Sequence, residues 1–323
     1  MSDTDTLVRI SRLYYELGET QERIAELVGL TRPQVSRLLK RARERGIVDI
    51  RVHDETGTPP AVGILQERFG LREVHLAPSV SGPEDVLRRS VGRVAARVLR
   101  THVHDGSVLG LSDGAHMAAL ADALPESPQP IACVVVPLGG GWWFGGGRAE
   151  PYRRVAQALG ATAISLYAPA VLPDPSVRVA LEAHPTIGNV RALWARLDIA
   201  VFGVGHRAWT AETFGEAALA ELDASAAVGE IVVLPFDREG RFVGQSIRER
   251  IIAVEPEALA RVPVTIAVAA GSSKVVPLLG ALRTGCIRIL VTDVATAEAV
   301  IAEADRDLES GSAAGPEQAA RPA

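Results

Sequence analysis

Residues 264–293 read VTIAVAAGSSKVVPLLGALRTGCIRILVTD, and this stretch decides the fold class. Two continuously apolar runs, at 264–271 and 287–293, enclose a helical pattern from Val275 to Leu282. Apolar runs without polar alternation are typical of strands that are buried on both faces of a sheet. The order of strand, helix and strand therefore predicts a parallel βαβ unit.

The same alternation is repeated towards the amino terminus. Further apolar runs predict strands at 107–112, 131–137, 162–168, 199–205 and 229–236. Helical patterns are present at Ala115–Leu124, Tyr152–Leu159 and Ala295–Ala302, and an amphipathic pattern with arginines spans Asp85–Leu99. The sequence predicts an α/β fold, a doubly wound parallel sheet with helices on both faces.

The amino-terminal segment has a different, all-helical pattern. Apolar residues recur from Leu7 to Leu17, and Thr20 is placed to cap a second helix that ends at Gly29. Thr31 is a good N-cap for a third helix, with Pro33 in its first turn, where its missing N–H does no harm. A helix, a glycine-containing turn and a capped helix predict a helix-turn-helix reader of DNA.

The third helix carries a concentrated positive charge. Residues 31–45 hold six basic side chains and one acidic side chain, a local net charge of +5. Arginine pairs with guanine and glutamine with adenine in the major groove, and further cations bind phosphates. The predicted DNA contacts are Thr31, Arg32, Gln34, Ser36, Arg37, Lys40 and Arg41. The alternation at 47–52 predicts a wing strand, and the alternative for the whole segment is a helical dimerisation module.

Composition limits the class of protein. The 323 residues include 34 basic and 39 acidic side chains, a net charge of −5, so nucleic-acid binding must be confined to a patch. Two cysteines exclude a multi-disulfide framework and suggest a reducing compartment. The polar, acidic start and the lack of an apolar run of about 18 residues predict a cytoplasmic protein with no membrane partner.

These patterns divide the chain into four parts. The predicted parts are a DNA-binding domain at 1–53, a linker at 54–60, an α/β domain at 61–308 and a disordered tail at 309–323.

Several segments resemble one known family. The stretch QERIAELVGLTRPQVSRLLKRARERGIVDIRV (21–52) is similar to the DNA-binding segment of the SorC family of bacterial transcriptional regulators, sometimes grouped with DeoR. Similarity continues through LGATAISLYAPAVL (159–172), HPTIGNVRALWARLDIAVFGVG (184–205), FDREG (236–240) and AGSSKVVPLLGALRTGCIRILVTDVATAEAVI (270–301). The resemblance implies that residues 61–308 form a sugar-phosphate isomerase-like domain for effector binding and oligomerisation. It also implies phosphorylated-sugar ligands and assembly into dimers or tetramers.

Ligands of open parallel sheets bind at the carboxyl ends of the strands, where loops lead into helix N-termini. The loops at those positions supply the predicted effector contacts. They are Ser112, Asp113, Gly114, Ala115, His116, Gly139, Gly140, Gly203, Gly205, Asp237 and Lys274.

The loop after the strand at 107–112 departs from the family pattern. Members commonly have hydroxyl residues after its glycine, whereas Ala115 and His116 follow Gly114 here. A phosphate is therefore held by backbone and an imidazolium, or else the ligand carries no phosphate. Lys274 is one of only two lysines and, by resemblance, contacts the effector; the alternative is an ordinary solvated lysine. Asp237 fits a sugar contact or an ordinary turn.

Other motifs are less specific. The segment GGGWWFGGG (139–147) is neither a dinucleotide nor a Walker loop, and it fits a ligand lid, a subunit contact or neither. His102 and His104 have metal-like spacing but no ligand cluster, and Cys133 and Cys286 fit core positions. No metal or cofactor is predicted.

The sequence thus predicts a regulator, not an enzyme, that binds double-stranded operator DNA, a small sugar, polyol or sugar-phosphate effector, and further copies of itself. A second hypothesis makes the large domain a ligand-free oligomerisation module. A third is a sugar-phosphate isomerase or deaminase, for which an acid and a base would be needed. The candidates for those two groups are His116, His206, Asp113, Glu230 and Asp237.

Overall fold

A computed structural model describes residues 3–48, 59–80, 82–141, 150–206 and 215–313. The chain divides into two compact units, Met1–Gly57 and Thr58–Ala323. Within the described residues, no helix combines the length and the apolar content needed to cross a bilayer.

The amino-terminal unit is helical. Its elements are α1 (Asp3–Ser11), a π-helical turn (Arg12–Glu16), α2 (Gln21–Val28) and α3 (Arg32–Glu44). The three α-helices share a small core formed by Ile10, Ile24, Ala25, Val35 and Leu39. This core is what fixes α3 against α2.

The first helix differs from its prediction. A single helix over Leu7–Leu17 is wrong, because the chain changes to a π-helical turn at Arg12, and the Leu17 N–H donates to the Arg12 carbonyl five residues back at 3.0 Å. The wider turn rotates the next residues, so that Leu13 and Tyr14 pack against the same core as Ile10. Of the predicted wing, Ile47 and Val48 form no strand, and 49–52 lie outside the described residues.

The second unit is built on a nine-strand sheet. Its strands are β1 (Glu73–Ala77), β2 (Val108–Leu111), β3 (Val134–Pro137), β4 (Thr162–Ala163), β5 (Ile199–His206), β6 (Ala227–Ile231), β7 (Leu234–Asp237), β8 (Val264–Val268) and β9 (Ile289–Asp293). Seven strands run parallel in the order β1-β9-β8-β5-β2-β3-β4, and the antiparallel pair β6 and β7 extends from β5.

Helices cover both faces of this sheet. They are α4 (Pro60–Phe69), α5 (Glu84–His102), α6 (Ala115–Ala123), α7 (Pro151–Leu159), α8 (Pro175–Glu182), α9 (Pro185–Trp194), α10 (Glu216–Ala224), α11 (Gln245–Arg248), α12 (Pro256–Arg261), a 3₁₀ turn (Ser272–Lys274), α13 (Val275–Arg283) and α14 (Val294–Ala313). Alternate residues of β5 enter two separate cores, with Val201 packing on the α5–α7 side and Phe202 on the opposite side. The predicted doubly wound α/β fold is confirmed.

The apolar run at 229–236 is predicted to be one strand, but in the structure it forms the hairpin of β6 and β7. Its two-residue turn consists of Val232 and Val233, both with positive φ, 51° and 73°. Positive φ at both central residues matches the right-handed twist of the flanking strands, and glycine or asparagine is usual there. Because valine is not typical of such turns, the sequence gives no indication of this one.

Other elements differ in extent. The predicted strand at 162–168 is reduced to two residues, and α14 continues to Ala313, into the predicted disordered tail. Extending an existing helix adds one backbone hydrogen bond for each residue fixed, so a polar segment can remain helical. Pro60, predicted as the last residue of the linker, begins α4; linker residues 54–58 and tail residues 314–323 lie outside the described residues.

Candidate functional site

The turn between α2 and α3 is fixed by capping contacts. The Thr20 hydroxyl accepts a hydrogen bond from the Arg23 N–H at 3.2 Å, and Gly29 ends α2 in the left-handed region with φ of 67°. At the start of α3, the Thr31 N–H and Oγ1 donate to Gln34 Oε1 at 2.7 and 2.9 Å. These bonds satisfy groups that a helix end otherwise leaves unpaired, which sets the direction of α3.

The exposed face of α3 bears Ser36, Arg37 and Lys40. Arg37 Nε donates to the Pro33 carbonyl one turn back, at 3.3 Å, and Lys40 Nζ lies 3.7 Å from Glu44. Such exposed contacts stabilise little, so exchanging them for a polyanion costs little. The geometry suits insertion of this helix into a major groove.

Three other predicted DNA contacts have intramolecular partners. The Gln34 carboxamide oxygen forms the cap, Arg32 Nε lies 2.9 Å from Glu22 on α2, and Arg41 forms a bidentate pair with Asp3, the shorter bond being 2.7 Å. All three side chains remain exposed to solvent. To bind DNA in the predicted way, each must give up an internal partner.

In the second unit, β2, β5 and β8 are adjacent parallel strands, so their carboxyl ends share one edge of the sheet. The loops that follow them bring together His116, in the first turn of α6, and Lys274, at the end of the 3₁₀ turn. Each loop contains a glycine, Gly114 with φ of 117° and Gly271 with φ of 107°, in a region that other residues rarely adopt. Glycine is therefore required for the two loops to turn at this edge.

His116 is a buried titratable group of this edge. Its side chain is 6% exposed, and Nε2 has no hydrogen-bond partner among the described residues. Burial, together with the smaller effect of the positive charges of Lys274 and Arg88, lowers the pKa of His116 to about 4. The imidazole is therefore neutral at physiological pH.

Lys274 is buried as well, with 8% exposure, which excludes the ordinary solvated lysine. Burial lowers its pKa, whereas the charges of Glu230 and Glu84 raise it. Glu230 lies directly over Gly205, where an added Cβ would be 1.9 Å from its Oε1. Gly205 thus makes room for the carboxylate that faces Lys274.

Sequence reasoning missed the part played by α5 and β6. Arg88 and Glu84 lie in the first turns of α5, a segment recognised only as a covering helix, and Glu230 was considered only for the enzyme hypothesis. The sequence signal that could have indicated Arg88 is its position four residues after a glutamate at the start of that helix. The same spacing is also common on solvated helix faces.

Other predicted contacts hold the backbone together. Ser112 joins β2 to β5, because its N–H donates to the Val201 carbonyl at 2.9 Å and its Oγ accepts from the Gly203 N–H at 3.2 Å. The Asp113 carboxylate accepts the Gly114 N–H at 2.8 Å and opens α6 before Ala115. These residues border the His116 loop and shape it.

Gly139 and Gly140 pack against backbone. Gly139 forms an isolated bridge with Ala253, and a Cβ on Gly140 would lie 2.4 Å from the Pro169 carbonyl carbon. Close packing therefore requires glycine at Gly140, which explains this position of the motif without a ligand. Its aromatic part, Trp142–Phe144, lies outside the described residues.

Asp237 is buried at the end of β7, and Arg241 engages both its carboxylate oxygens, through its N–H at 2.9 Å and Nε at 2.7 Å. This arrangement matches the turn interpretation. Gly280, in the second half of α13, contacts the Asp237 carbonyl, whereas Lys274 precedes α13, so Asp237 lies towards the other end of that helix.

The remaining titratable candidates have structural surroundings. His102 Nε2 lies 3.7 Å from Glu73, and Cys133 and Cys286 are buried, which raises the pKa of both thiols. Among the residues that the structure covers, no three His, Cys, Asp or Glu side chains are grouped to hold a metal ion.

Comparison with known proteins identifies both units. Residues 61–302 match the family model described as "Putative sugar-binding domain", and residues 5–57 match the Crp-like helix-turn-helix domain. The chain is 30% identical to the sorbitol operon regulator of Klebsiella pneumoniae over 93% of this chain and 98% of that protein. It is 32% identical to the deoxyribonucleoside regulator of Bacillus subtilis over 91% of this chain and 96% of that protein.

A solved structure supports the same assignment. The full-length sorbitol operon regulator SorC from Klebsiella pneumoniae superposes with a TM-score of 0.76 at 29% identity, covering 93% of this chain and 99% of that one. With both units matched along almost the whole length, the chain belongs to the SorC/DeoR-type family of bacterial sugar-responsive transcriptional regulators.

Proposed function

We propose that this protein is a DNA-binding transcriptional regulator whose affinity for its operator is controlled by a small sugar, polyol or sugar phosphate. The observation that carries the proposal is the pairing, in one chain, of a capped basic helix with a sheet edge that buries a histidine and a lysine. Burying such groups costs free energy, and a ligand offsets that cost.

On the DNA side, α3 is the recognition helix. Arg37, Ser36 and Lys40 already face solvent and make the first contacts, with Arg37 reading a base edge and Lys40 a phosphate. The other three side chains then bind DNA after releasing their internal partners: Arg32 releases Glu22, Gln34 releases Thr31 and Arg41 releases Asp3. Their internal contacts set the geometry of the free protein and lower its affinity for unrelated sequences.

On the effector side, His116 and Lys274 contact the ligand, and the loop backbone from Ser112 to Ala115 supplies N–H donors next to them. Gly203 and Gly205 allow the ligand and Glu230 to approach the end of β5. We place Gly139, Gly140 and Asp237 outside this contact set, because each is engaged in internal packing or hydrogen bonding. The names of the relatives make sorbitol, deoxyribonucleosides and their phosphorylated forms the first compounds to test.

The protein acts as a symmetric homo-oligomer, a dimer or a tetramer, in the cytoplasm, where the genome is accessible. Two copies of α3 in successive major grooves would be about 34 Å apart. The large domain senses its ligand and does not convert it. In support, Asp237, one of the acid and base candidates, is already bonded through both carboxylate oxygens to Arg241. A panel of sugar phosphates that yields measurable product would overturn this point.

The experiment that tests the proposal is footprinting of genomic fragments followed by titration of the protected fragment. We expect a two-fold symmetric protected tract at low salt, and at least one sugar, polyol or sugar phosphate that changes the affinity for this fragment about tenfold or more. A protein that protects no tract at any ionic strength is not an operator-binding regulator. A protected tract that responds to no compound would favour a ligand-free oligomerisation domain.

A further inference from the structure

Asp293, at the end of β9, is a buried carboxylate that joins two other parts of the large domain. It is 2% exposed. Its Oδ2 accepts hydrogen bonds from Ser79 Oγ at 3.2 Å and from the Thr296 N–H at 3.4 Å, and its Oδ1 accepts one from the Thr296 hydroxyl. Ser79 precedes α5, and Thr296 lies in the first turn of α14. The carboxylate therefore fixes the beginning of α14 against the segment that leads into α5.

The Thr296 hydroxyl also holds the loop that carries Lys274. Thr296 is 3% exposed, and because its own proton goes to Asp293, its Oγ1 can accept the Gly271 N–H, at 2.8 Å. Gly271 directly precedes the 3₁₀ turn that ends at Lys274. Leaving a buried N–H or carboxylate without a partner costs free energy. A movement of this loop therefore either breaks a buried hydrogen bond at a cost or displaces α14 with it.

The middle of α14 packs against α4. Thr296, Val300 and Ala304 are spaced four residues apart and are all buried, so they share one face of α14. Val300 and Ala304 belong to the same apolar core as Leu65 of α4, and the two helices are in contact. Close-packed interiors have low compressibility and pass on displacements. A displacement of α14 therefore reaches α4.

A charged contact joins the same two helices beyond this core. Arg68 Nη1, in the last turn of α4, lies 2.7 Å from Asp305 Oδ1 and donates to the Ile301 carbonyl at 3.4 Å. Asp305 is nine residues after Thr296, about 14 Å along the helix axis. α4 begins at Pro60 and is the first helix of the large domain after the predicted linker. α14 thus contacts the effector edge in its first turn and the helix next to the linker further along.

We propose that Asp293 and Thr296 are positioning residues, and that α14 transmits the state of the Gly271–Lys274 loop to α4 and so to the linker. The inference rests on the proposed effector role of the sheet edge and describes how that site regulates DNA binding. An effector that binds one arrangement of the loop better than another shifts α14 and α4 to the matching arrangement. Neither Asp293 nor Thr296 has to touch the effector for this role.

The test is hydrogen exchange of the full chain, without effector or DNA, followed by mass spectrometry of its peptides. Thr296→Val keeps the shape of the side chain but removes the hydroxyl, whereas Thr296→Ser keeps the hydroxyl and removes a methyl group. We expect Thr296→Val to exchange about tenfold faster at Gly271–Lys274 and at least about threefold faster in α4. Thr296→Ser should exchange as wild type does in both segments. In both variants α7, which packs on the opposite face of the sheet, should be unchanged.

Three results of this experiment would overturn the proposal. Faster exchange of the loop with unchanged exchange of α4 would show that Thr296 holds the loop and transmits nothing. Equal acceleration of α4 and α7 would show a general loss of stability. Equal acceleration by Thr296→Val and Thr296→Ser would show that the hydroxyl is not the cause.

The contact between α14 and α4 provides a reciprocal comparison that leaves the buried hydroxyl intact. Arg68→Gln removes the ion pair with Asp305 and should accelerate exchange at Gly271–Lys274 about threefold. Arg72→Gln removes the same charge four residues later, from an exposed side chain 3.8 Å from Glu73, and should leave that segment unchanged. A loop that exchanges at the wild-type rate in Arg68→Gln, or equally fast in both variants, would overturn transmission through α14.

Failure of this inference is distinguishable from failure of the proposed function. If a sugar or polyol changes operator affinity but α4 does not respond to Thr296→Val, the regulatory function stands and its signal takes another route. If the exchange pattern is as expected but no DNA tract is protected, the link through α14 stands and the regulatory function fails.

Discussion

We expect sequence reading by α3 to depend most on the side chain of Arg37. It is exposed, and its Nε donates to the Pro33 carbonyl at 3.3 Å. Within the described part of the chain its other guanidinium donors have no recorded partner, so they are available to a guanine edge. Arg37→Ala should therefore weaken specific operator binding by about 1–3 kcal/mol and bring it closer to non-specific binding. Fluorescence anisotropy with operator and scrambled DNA measures both affinities.

The control for Arg37 is Arg12→Ala. Arg12 is also an exposed arginine of the same unit, 3.9 Å from Glu16, and its loss removes the same charge. Its substitution should leave the ratio of specific to non-specific affinity unchanged. An Arg37→Ala protein that keeps that ratio, or an Arg12→Ala protein that loses it equally, would remove Arg37 from the base-reading set.

His116 gives a prediction about stability in the absence of any ligand. Its pKa is lowered from 6.5 to about 4, so between these values the unfolded chain binds more protons than the folded chain. The contribution is fully present above the unfolded pKa and is lost as the pH falls towards the folded one. Between pH 7 and pH 5 the effector domain should lose about 2 kcal/mol through this group.

Urea denaturation at pH 7, 6 and 5 measures this loss. His116→Gln replaces a neutral imidazole with a neutral amide, so the variant should lose about 2 kcal/mol less than wild type over the same pH range. Parallel curves for the two proteins would mean that His116 is solvated and titrates normally. Other acid-sensitive groups are common to both proteins and cancel in the difference.

How far sequence could define the effector edge depends on where each residue lies. His116 and Lys274 follow apolar strands directly, so the rule that ligands bind at strand carboxyl ends was enough to select them. Arg88 and Glu230 reach the edge because α5 packs across the sheet and β6 folds back on β5. Both positions depend on tertiary packing, so no local sequence pattern in α5 or β6 predicts them.

At the scale of elements, the contact between α5 and α6 positions Arg88, in the first turns of α5, relative to His116, in the first turn of α6. Gly92 of α5 allows a close approach, because a Cβ there would lie 2.7 Å from the Ala119 backbone carbon in α6. Gly63 is also a helical glycine, in α4, and has nothing within 4 Å of an added Cβ. Substituting alanine at each of these two glycines therefore separates the effect of close packing from the effect of helix propensity.

We expect opposite effects of alanine at these two positions. Gly63→Ala should stabilise the domain by about 1 kcal/mol, the propensity gain of alanine in a helix. Gly92→Ala gains the same amount but must push α6 away, and it should be about 1–3 kcal/mol less stable than Gly63→Ala. Thermal unfolding of both proteins provides the comparison. Equal stabilisation would show that α5 and α6 can separate freely.

The predictability of elements followed the strength of local signals. The strands at 264–268 and 289–293 were predicted because their apolar runs are continuous and flanked by a strong helix pattern. Strand β1, EVHLA, was missed because two of its five residues are charged or titratable, although it pairs with β9 over its full length. The hairpin at 227–237 was hidden by Val232 and Val233, where tertiary packing tolerates a backbone that valine disfavours.

At the scale of the whole molecule, charge is divided between the two units. Residues 1–53 carry ten basic and eight acidic side chains, a balance of +2, which leaves −7 for the remainder of a chain with net charge −5. The large domain is therefore repelled by DNA, and attraction is confined to the helix-turn-helix unit. Operator affinity should depend steeply on salt, with a slope set by the few phosphate contacts that α3 and its flanks make.

The last prediction concerns the coupling of the two binding events. If the effector changes operator affinity by some factor, operator DNA must change effector affinity by the same factor, because both are equilibrium binding steps of one protein. The expected factor is about 5–150. It is measured by titrating the effector with and without saturating operator, and the operator with and without saturating effector, at one salt concentration and one pH. Arg37→Ala should leave effector affinity in the absence of DNA unchanged while it weakens the operator arm. An effector that binds tightly but leaves operator affinity unaltered in both directions would show that the sheet edge and α3 are not thermodynamically linked.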